Sequence, residues 1–168
     1  MKKDIFIDAD VANKFASTKD EHLLELINWL LESKNQSFLM MSDYLRNDCF
    51  KGNNHCSKEF SICTIYFQLQ KDDRLNVKTK KEIKLFQQKF FNKKVWDKLK
   101  CTTNKKGDKS NDPEHIALIL LSDRRIALTE DENLLNGILD FPMKGIGGIK
   151  ATVAKKPQEL NYKKSEAA

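Results

Sequence analysis

The sequence predicts an α/β fold, with a central, mostly parallel sheet of four to five strands flanked by helices. Three observations lead there. Short apolar runs at Ile5-Phe6-Ile7, Phe38-Leu39-Met40-Met41 and Ile126-Ala127-Leu128 have the length and character of strands buried on both faces. Longer stretches between them carry apolar residues at helical spacing, so strand and helix alternate as parallel pairing requires. Four acids, Asp8, Asp48, Asp112 and Asp131, each stand where an apolar run gives way to a helix or turn. In a parallel sheet the carboxyl ends of the strands converge on one crevice, so acids distant in sequence can share one pocket.

Taken in order, Ile5-Phe6-Ile7 ends in Asp8-Ala9-Asp10, a strand that delivers carboxylates at its tip. Thr18-Lys19-Asp20-Glu21 reads as a capping box opening a helix whose apolar stripe is Leu23, Leu26, Ile27, Leu30 and Leu31. After the second strand, Ser42 opens a segment with Leu45, Cys49 and Phe50 at helical spacing. Asn53-Asn54 marks a loop, and Phe60, Cys63, Thr64 and Phe67 suggest the next helix. A lysine-rich segment follows, amphipathic through Ile83, Phe86, Phe90, Val95, Trp96 and Leu99, and then a polar loop from Thr102 to Asn111. Asp112-Pro113-Glu114 starts a strongly apolar helix that Arg124-Arg125 ends. Thr129-Glu130-Asp131 tips the third strand, and Leu134, Leu135 and Ile138 mark a helix beyond it. Gly145-Ile146-Gly147-Gly148 is a turn, Ala151-Thr152-Val153 a possible final strand, and Pro157 to Leu160 a last helical turn.

With 168 residues, 40% of them hydrophobic, the chain suits one domain, residues 1–160, with 161–168 as a polar tail. No run reaches the roughly 18 apolar residues of a membrane span, and the first residues form no signal peptide, so a cytoplasmic protein is expected. Cys49, Cys56, Cys63 and Cys101 include no CxxC pair and match no zinc module, which makes free thiols the simplest expectation.

Net charge is +6, unevenly placed: residues 78–109 hold twelve lysines against three acids, a local +9 that leaves −3 for the remainder. Such a segment suits a polyanion, because neutralising phosphates gives affinity without sequence preference. The competing reading is a solvated helix face. Acids placed as a metal site needs them favour nucleic acid, with Lys93, Lys94, Lys98, Lys100, Lys105 and Lys106 as candidate contacts. Clustered carboxylates repel one another unless a hard cation joins them, and Mg²⁺ or Mn²⁺ prefers oxygen ligands. Metal-assisted phosphodiester hydrolysis is the chemistry this combination suggests.

These motifs resemble the PIN-domain nucleases, a family that includes VapC-like ribonuclease toxins. The resemblance rests on Ile5-Phe6-Ile7-Asp8 with Asp10 two positions on, and on Ser42 followed six residues later by Asp48, where the family more often has glutamate. It continues with Asp112 opening an aliphatic helix, the T-x-D of Thr129-Glu130-Asp131, and Pro157-Gln158-Glu159-Leu160. It runs over nearly the whole length through short motifs, and it departs at the lysine-rich span of residues 72–109 and the glycine-containing insert near residue 145. The resemblance implies a PIN-like three-layer sandwich and a metal-dependent endoribonuclease. Asp8, Asp48, Asp112 and Asp131 would hold Mg²⁺ or Mn²⁺, with Asp10, Ser42 and Thr129 supporting them. It implies RNA as the substrate, with DNA the alternative, and a cognate antitoxin and a homodimer as partners.

Each acid also has a purely structural role to play. Asp112 before Pro113 suits a helix cap, Thr129 with Glu132 reads as a capping box, and Asp43 competes with Asp48. His115 reads as a packing or surface residue outside the catalytic set. Two rival functions remain: a catalytically inactive nucleic-acid-binding module of the same fold, and a haloacid-dehalogenase-like phosphatase built on Asp8-Ala9-Asp10. Ala12 and the absence of a glycine-aspartate pattern near Asp131 weigh against the second.

Overall fold

Five strands, β1 (Lys3–Ile7), β2 (Ser37–Met41), β3 (Leu75–Val77), β4 (Ile126–Leu128) and β5 (Thr152–Ala154), pair in the order β3-β2-β1-β4-β5. Every pairing is parallel, with Ile5 opposite Leu39, Leu39 opposite Leu75, Ile7 opposite Leu128 and Ala127 opposite Val153. The structure is a computed structural model in which residues 1–51, 59–90, 111–139, 141 and 151–164 are described.

From β1 the sheet grows one way through β2 to β3 and the other way through β4 to β5. The order therefore reverses between β1 and β4. In open parallel sheets a crevice forms outside the strand tips at such a reversal.

Among the described residues seven α-helices flank the sheet: α1 (Ala9–Ala12), α2 (Glu21–Leu31), α3 (Asp43–Cys49), α4 (Ile62–Lys71), α5 (Lys80–Phe90), α6 (Asp112–Leu121) and α7 (Glu132–Leu139). One layer joins α2 to α4 and to β2; the other centres on α6, which packs against α3, α5, α7 and β2. The result is a three-layer α/β sandwich. Helix α6 is buried almost throughout, from Asp112 and Pro113 to Leu120, as expected of a helix apolar on all sides. Phe6, Ile5, Leu26, Leu30, Leu39 and Ile65 are among the fully buried side chains between the layers.

Local chemistry fixes the helix starts. The Asp20 carboxylate accepts from the backbone N–H groups of His22 and Leu23 and caps α2, so the cap is Asp20; Thr18 instead accepts from the Asp20 N–H. The Ser42 hydroxyl accepts from Leu45 N–H at α3, and the Ser61 hydroxyl from Thr64 N–H at α4. In α4 the buried face is Ile62, Cys63, Ile65, Tyr66 and Leu69, while Phe67, expected in the core, is 53% exposed. Gln36, Asp73 and Arg125 have φ near +50°, and each precedes a strand by one or two residues. These junctions thus use the left-handed conformation without glycine, at a cost of about 1 kcal/mol apiece.

Strand β3 falls inside the stretch that the sequence set apart as a departure from the family pattern. It is short, and its central Asn76 is polar because its amide donates to Asp4. Helix α5 is the described part of the lysine-rich segment: Ile83 and Phe86 are buried, and Lys80, Lys81, Lys84 and Lys89 are exposed. The side chain of Phe90, all of Val95, Trp96 and Leu99, and the turn near Gly145 lie outside the described residues. Cys49 is a free thiol, but Cys63 is disulfide-bonded, which corrects the expectation of four free cysteines. Among the described residues no helix is long and apolar enough to cross a membrane.

At the amino ends of the strands lies a buried polar network. Asp4, wholly buried in β1, accepts from Asn76 Nδ2 at 2.8 Å and from the N–H groups of Asp123 and Arg124 at 2.9 and 3.1 Å. The Arg124 guanidinium donates to the Asp4 carbonyl and to the carbonyls of Tyr162 and Lys164. Arg74 likewise donates to the carbonyls of Leu30 and Leu31 and to Ser37.

Candidate active site

The opposite, carboxyl ends of β1 and β4 carry the acids. The ladder between these strands runs one bond past β1, with Asp8 N–H donating to the Leu128 carbonyl at 2.9 Å, so Asp8 is held at the strand tip. Its Oδ1 accepts from Ala9 N–H at 2.9 Å, starting α1, and its Oδ2 accepts from the Thr129 hydroxyl at 2.6 Å. Residues 121 positions apart are thereby joined across the topological reversal. Thr129 is itself fixed by β5 through its N–H on the Ala154 carbonyl, and it accepts from Asp131 N–H. The Thr129 hydroxyl is therefore committed to orienting Asp8. The capping of α7 falls to Asp131, whose Oδ1 accepts from the N–H groups of Asn133 and Leu134.

Asp10, on α1, reports the electrostatics of this end. Burial first, then the neighbouring Asp8 carboxylate, raise its pKa to about 6, with smaller contributions from Glu130 and Asp131. A hydrogen bond from Val11 N–H opposes the shift without cancelling it. Lys14 pairs with Glu130 at the rim.

Asp48 projects from α3 toward the first turn of α6. Its Oδ2 lies 2.9 Å from His115 Nε2, and its Oδ1 accepts from Asn111 Nδ2 at 3.1 Å. Burial alone would raise the Asp48 pKa, but the hydrogen bond and charge of His115, the Asn111 hydrogen bond and the charge of Lys51 outweigh it and hold the carboxyl below its ordinary range. An ionised carboxylate only accepts, so Nε2 is the protonated nitrogen of His115. His115 is 2% exposed and its Nδ1 has no hydrogen-bond partner. The Phe6 ring packs on the imidazole, with centroids 5.6 Å apart. Beside Asp48, burial and then the charges of Asp8, Asp48 and Asp10 push the Cys49 thiol up to about 12, leaving it inert as a nucleophile. Asp43 is exposed and sits 3.7 Å from Arg46, so of the two candidates on α3 only Asp48 faces α6.

Asp112 is the first residue of α6, is 7% exposed, and lies one turn before His115. Asn111 holds the cap position without a side-chain capping bond, and the proline stands second in the helix. Gln87 of α5 donates to the Pro113 carbonyl at 3.2 Å, which fastens the described part of the lysine-rich segment to the same turn. Ser42 supports the site by capping α3.

Asp8, Asp10 and Asp131, with Thr129, thus gather at the tips of β1 and β4, while Asp48 is held at the turn that carries Asp112. Among the described residues no group of three or more His, Cys, Asp or Glu side chains is assembled to hold a metal ion. Lys93, Lys94, Lys98, Lys100, Lys105 and Lys106 lie outside the described residues. Sequence reasoning missed the parts played by His115 and Asn111. The available signal was their spacing of four, which puts both on one face of the turn that opens with Asp112. Comparison of the chain with protein-family models, curated proteins and solved structures finds no match.

Proposed function

We propose that the chain is a metal-dependent nuclease of PIN-like design that hydrolyses phosphodiester bonds, with RNA as the leading substrate. One observation carries the reading: β1 and β4 present Asp8, Asp10 and Asp131 together at the topological reversal, and α3 and α6 bring Asp48 and Asp112 to their own shared turn. The donor set is all carboxylate oxygen, and the repulsion felt by Asp10 is what a hard divalent cation relieves. Asp8, Asp48, Asp112 and Asp131 would hold Mg²⁺ or Mn²⁺, with Asp10 beside them. When bound, the ion lowers the pKa of a water and offsets charge on the phosphate. The Thr129 hydroxyl keeps Asp8 in one orientation, and His115 with Asn111 does the same for Asp48. The exposed lysines of α5 neutralise the polyanion. A cognate antitoxin and a homodimer belong to this proposal as partners.

A catalytically silent nucleic-acid-binding module is the second reading. It is favoured by Asp48, both of whose carboxylate oxygens are already engaged, and by the capping duty of Asp131. One experiment separates the two. Purified protein is incubated with labelled RNA and DNA panels in Mg²⁺, Mn²⁺ or EDTA. Cleavage is expected in the divalent ions only, and Asp8→Asn should lower it by at least about a thousandfold with an unchanged circular dichroism spectrum. Cleavage that survives EDTA or Asp8→Asn sinks the metal-dependent mechanism; binding without cleavage installs the silent module.

A further inference from the structure

Three aromatic rings cluster where the end of α3 meets α4 and have no part in the site described above. Phe50, two residues after Asp48 at the end of α3, is half-buried; its ring centroid lies 5.3 Å from that of Tyr66 and 6.3 Å from that of Phe67. Tyr66 and Phe67 meet edge to face at 5.3 Å. Tyr66 is 6% exposed and Phe67 is 53% exposed, so two rings back a third that looks into solvent. Exposed lysines flank the group. Lys51 follows Phe50 and is close enough for its charge to lower the Asp48 pKa, and Lys71 lies one helical turn past Phe67. Asp72, the nearest acid in sequence to Lys71, is taken up by Arg74 at 3.4 Å and by Gln68 at 3.1 Å.

A flat ring held from behind, with cations to either side and backed by Phe50 from the end of the helix that carries Asp48, matches the chemistry of one partner. An unpaired nucleobase offers a π-face of similar area, and the phosphates on either side of it meet the lysines. A paired base keeps its faces stacked within the duplex and offers none. A protein partner would need roughly 800 Å² of matching surface, whereas here Phe67 is the one large ring exposed among the described residues. We propose that Phe67, backed by Phe50 and Tyr66, stacks an unpaired base of a single-stranded nucleic acid, with Lys51 and Lys71 on the adjoining phosphates, and so guides the strand past the acids. The proposal rests on the nuclease reading and narrows its substrate to unpaired strands.

The test uses binding in EDTA, where no metal-dependent cleavage intrudes. Fluorescence anisotropy compares a fluorescein-labelled 12-nucleotide single strand of RNA, the same sequence as a duplex, and an abasic strand of equal length. The wild type should bind the single strand best. Phe67→Ala should weaken that binding about tenfold, leave the duplex and abasic strands unchanged, and keep the wild-type melting temperature; Phe67→Trp should restore the lost affinity. The proposal is overturned by a wild type that does not prefer the base-bearing single strand, or by a Phe67→Ala loss equal for all three probes. It is equally overturned if Phe67→Ala leaves affinity intact and instead shifts the sedimentation coefficient, which would place the ring in a protein contact. Failure of cleavage in Mg²⁺ with stacking retained would count against the nuclease alone.

Discussion

The two ends of the sheet handle buried charge in opposite ways. At the amino ends of the strands, Asp4 has three donors of its own, and Arg74 and Arg124 spread their guanidinium groups over backbone carbonyls. At the carboxyl ends Asp10 is crowded by Asp8, Glu130 and Asp131, with Lys14 on Glu130 and Lys155 on Glu132 as cations paired there among the described residues. Buried polar groups with hydrogen-bond partners hold a fold together, and at the amino end Arg74 Nε is the one buried polar side-chain atom without a partner among the described residues, whereas crowded like charges cost stability. The contrast teaches that one end of the sheet partners most of its buried charge while the other leaves like charges crowded together.

Breaking the amino-end network should have the largest effect on stability. Asp4→Ala leaves the Asn76 amide and two backbone N–H groups without an acceptor and should cost about 4 kcal/mol in urea denaturation. A loss below about 0.5 kcal/mol, the size of an ordinary surface change, would erase the distinction between the two ends.

A middle-sized effect is expected where the ends' rules mix, at Asp48. His115→Phe keeps the packing against Phe6 but removes the donor to Asp48, and should cost about 2 kcal/mol at pH 7. The Asp48 pKa is depressed in the fold, so its contribution is present above the unfolded value of 3.8 and is lost as pH falls through the folded value. The gap in melting temperature between wild type and variant should therefore be wider at pH 7 than at pH 3. An equal gap at both would show that the bond does not favour the ionised acid.

Asp10 sharpens the comparison with the smallest effect. Its pKa is raised from 3.8 to about 6, so its contribution to stability is full below pH 3.8 and falls away as pH rises through 6. Asp10→Asn should therefore melt above the wild type at pH 8 and show no such advantage at pH 3.5. A pH-independent difference would mean that the acids do not feel one another.

Much of this contrast was legible in the sequence because it is local. The apolar runs of β1, β2 and β4 announce strands, and Asp8 and Asp131 stand at their ends whatever the rest of the chain does. Strand β3 was not legible: Leu75-Asn76-Val77 is three residues long, and its middle residue is polar because it serves Asp4, 72 positions away. Phe67 was misplaced because a helical stripe of apolar residues does not say which ring is left outside. The choice of Asp20 over Thr18, and of Asp131 over Thr129, as caps was hidden for a related reason. Neighbouring cap-forming residues compete, and at the second site the outcome depended on Asp8 claiming the Thr129 hydroxyl. The sequence reading of His115 as a packing or surface residue left out its bond to Asp48, because that partner lies 67 residues away.

Arg124 has a practical corollary. By gripping the carbonyls of Tyr162 and Lys164 it brings the close of the described chain to the same side as Lys2, whose N–H donates to Asp123. A fluorophore or surface linker attached at Lys2 or Lys164 would accordingly start out from the side of the sheet opposite Asp8 and Asp131, and would leave that acidic side turned toward the solution.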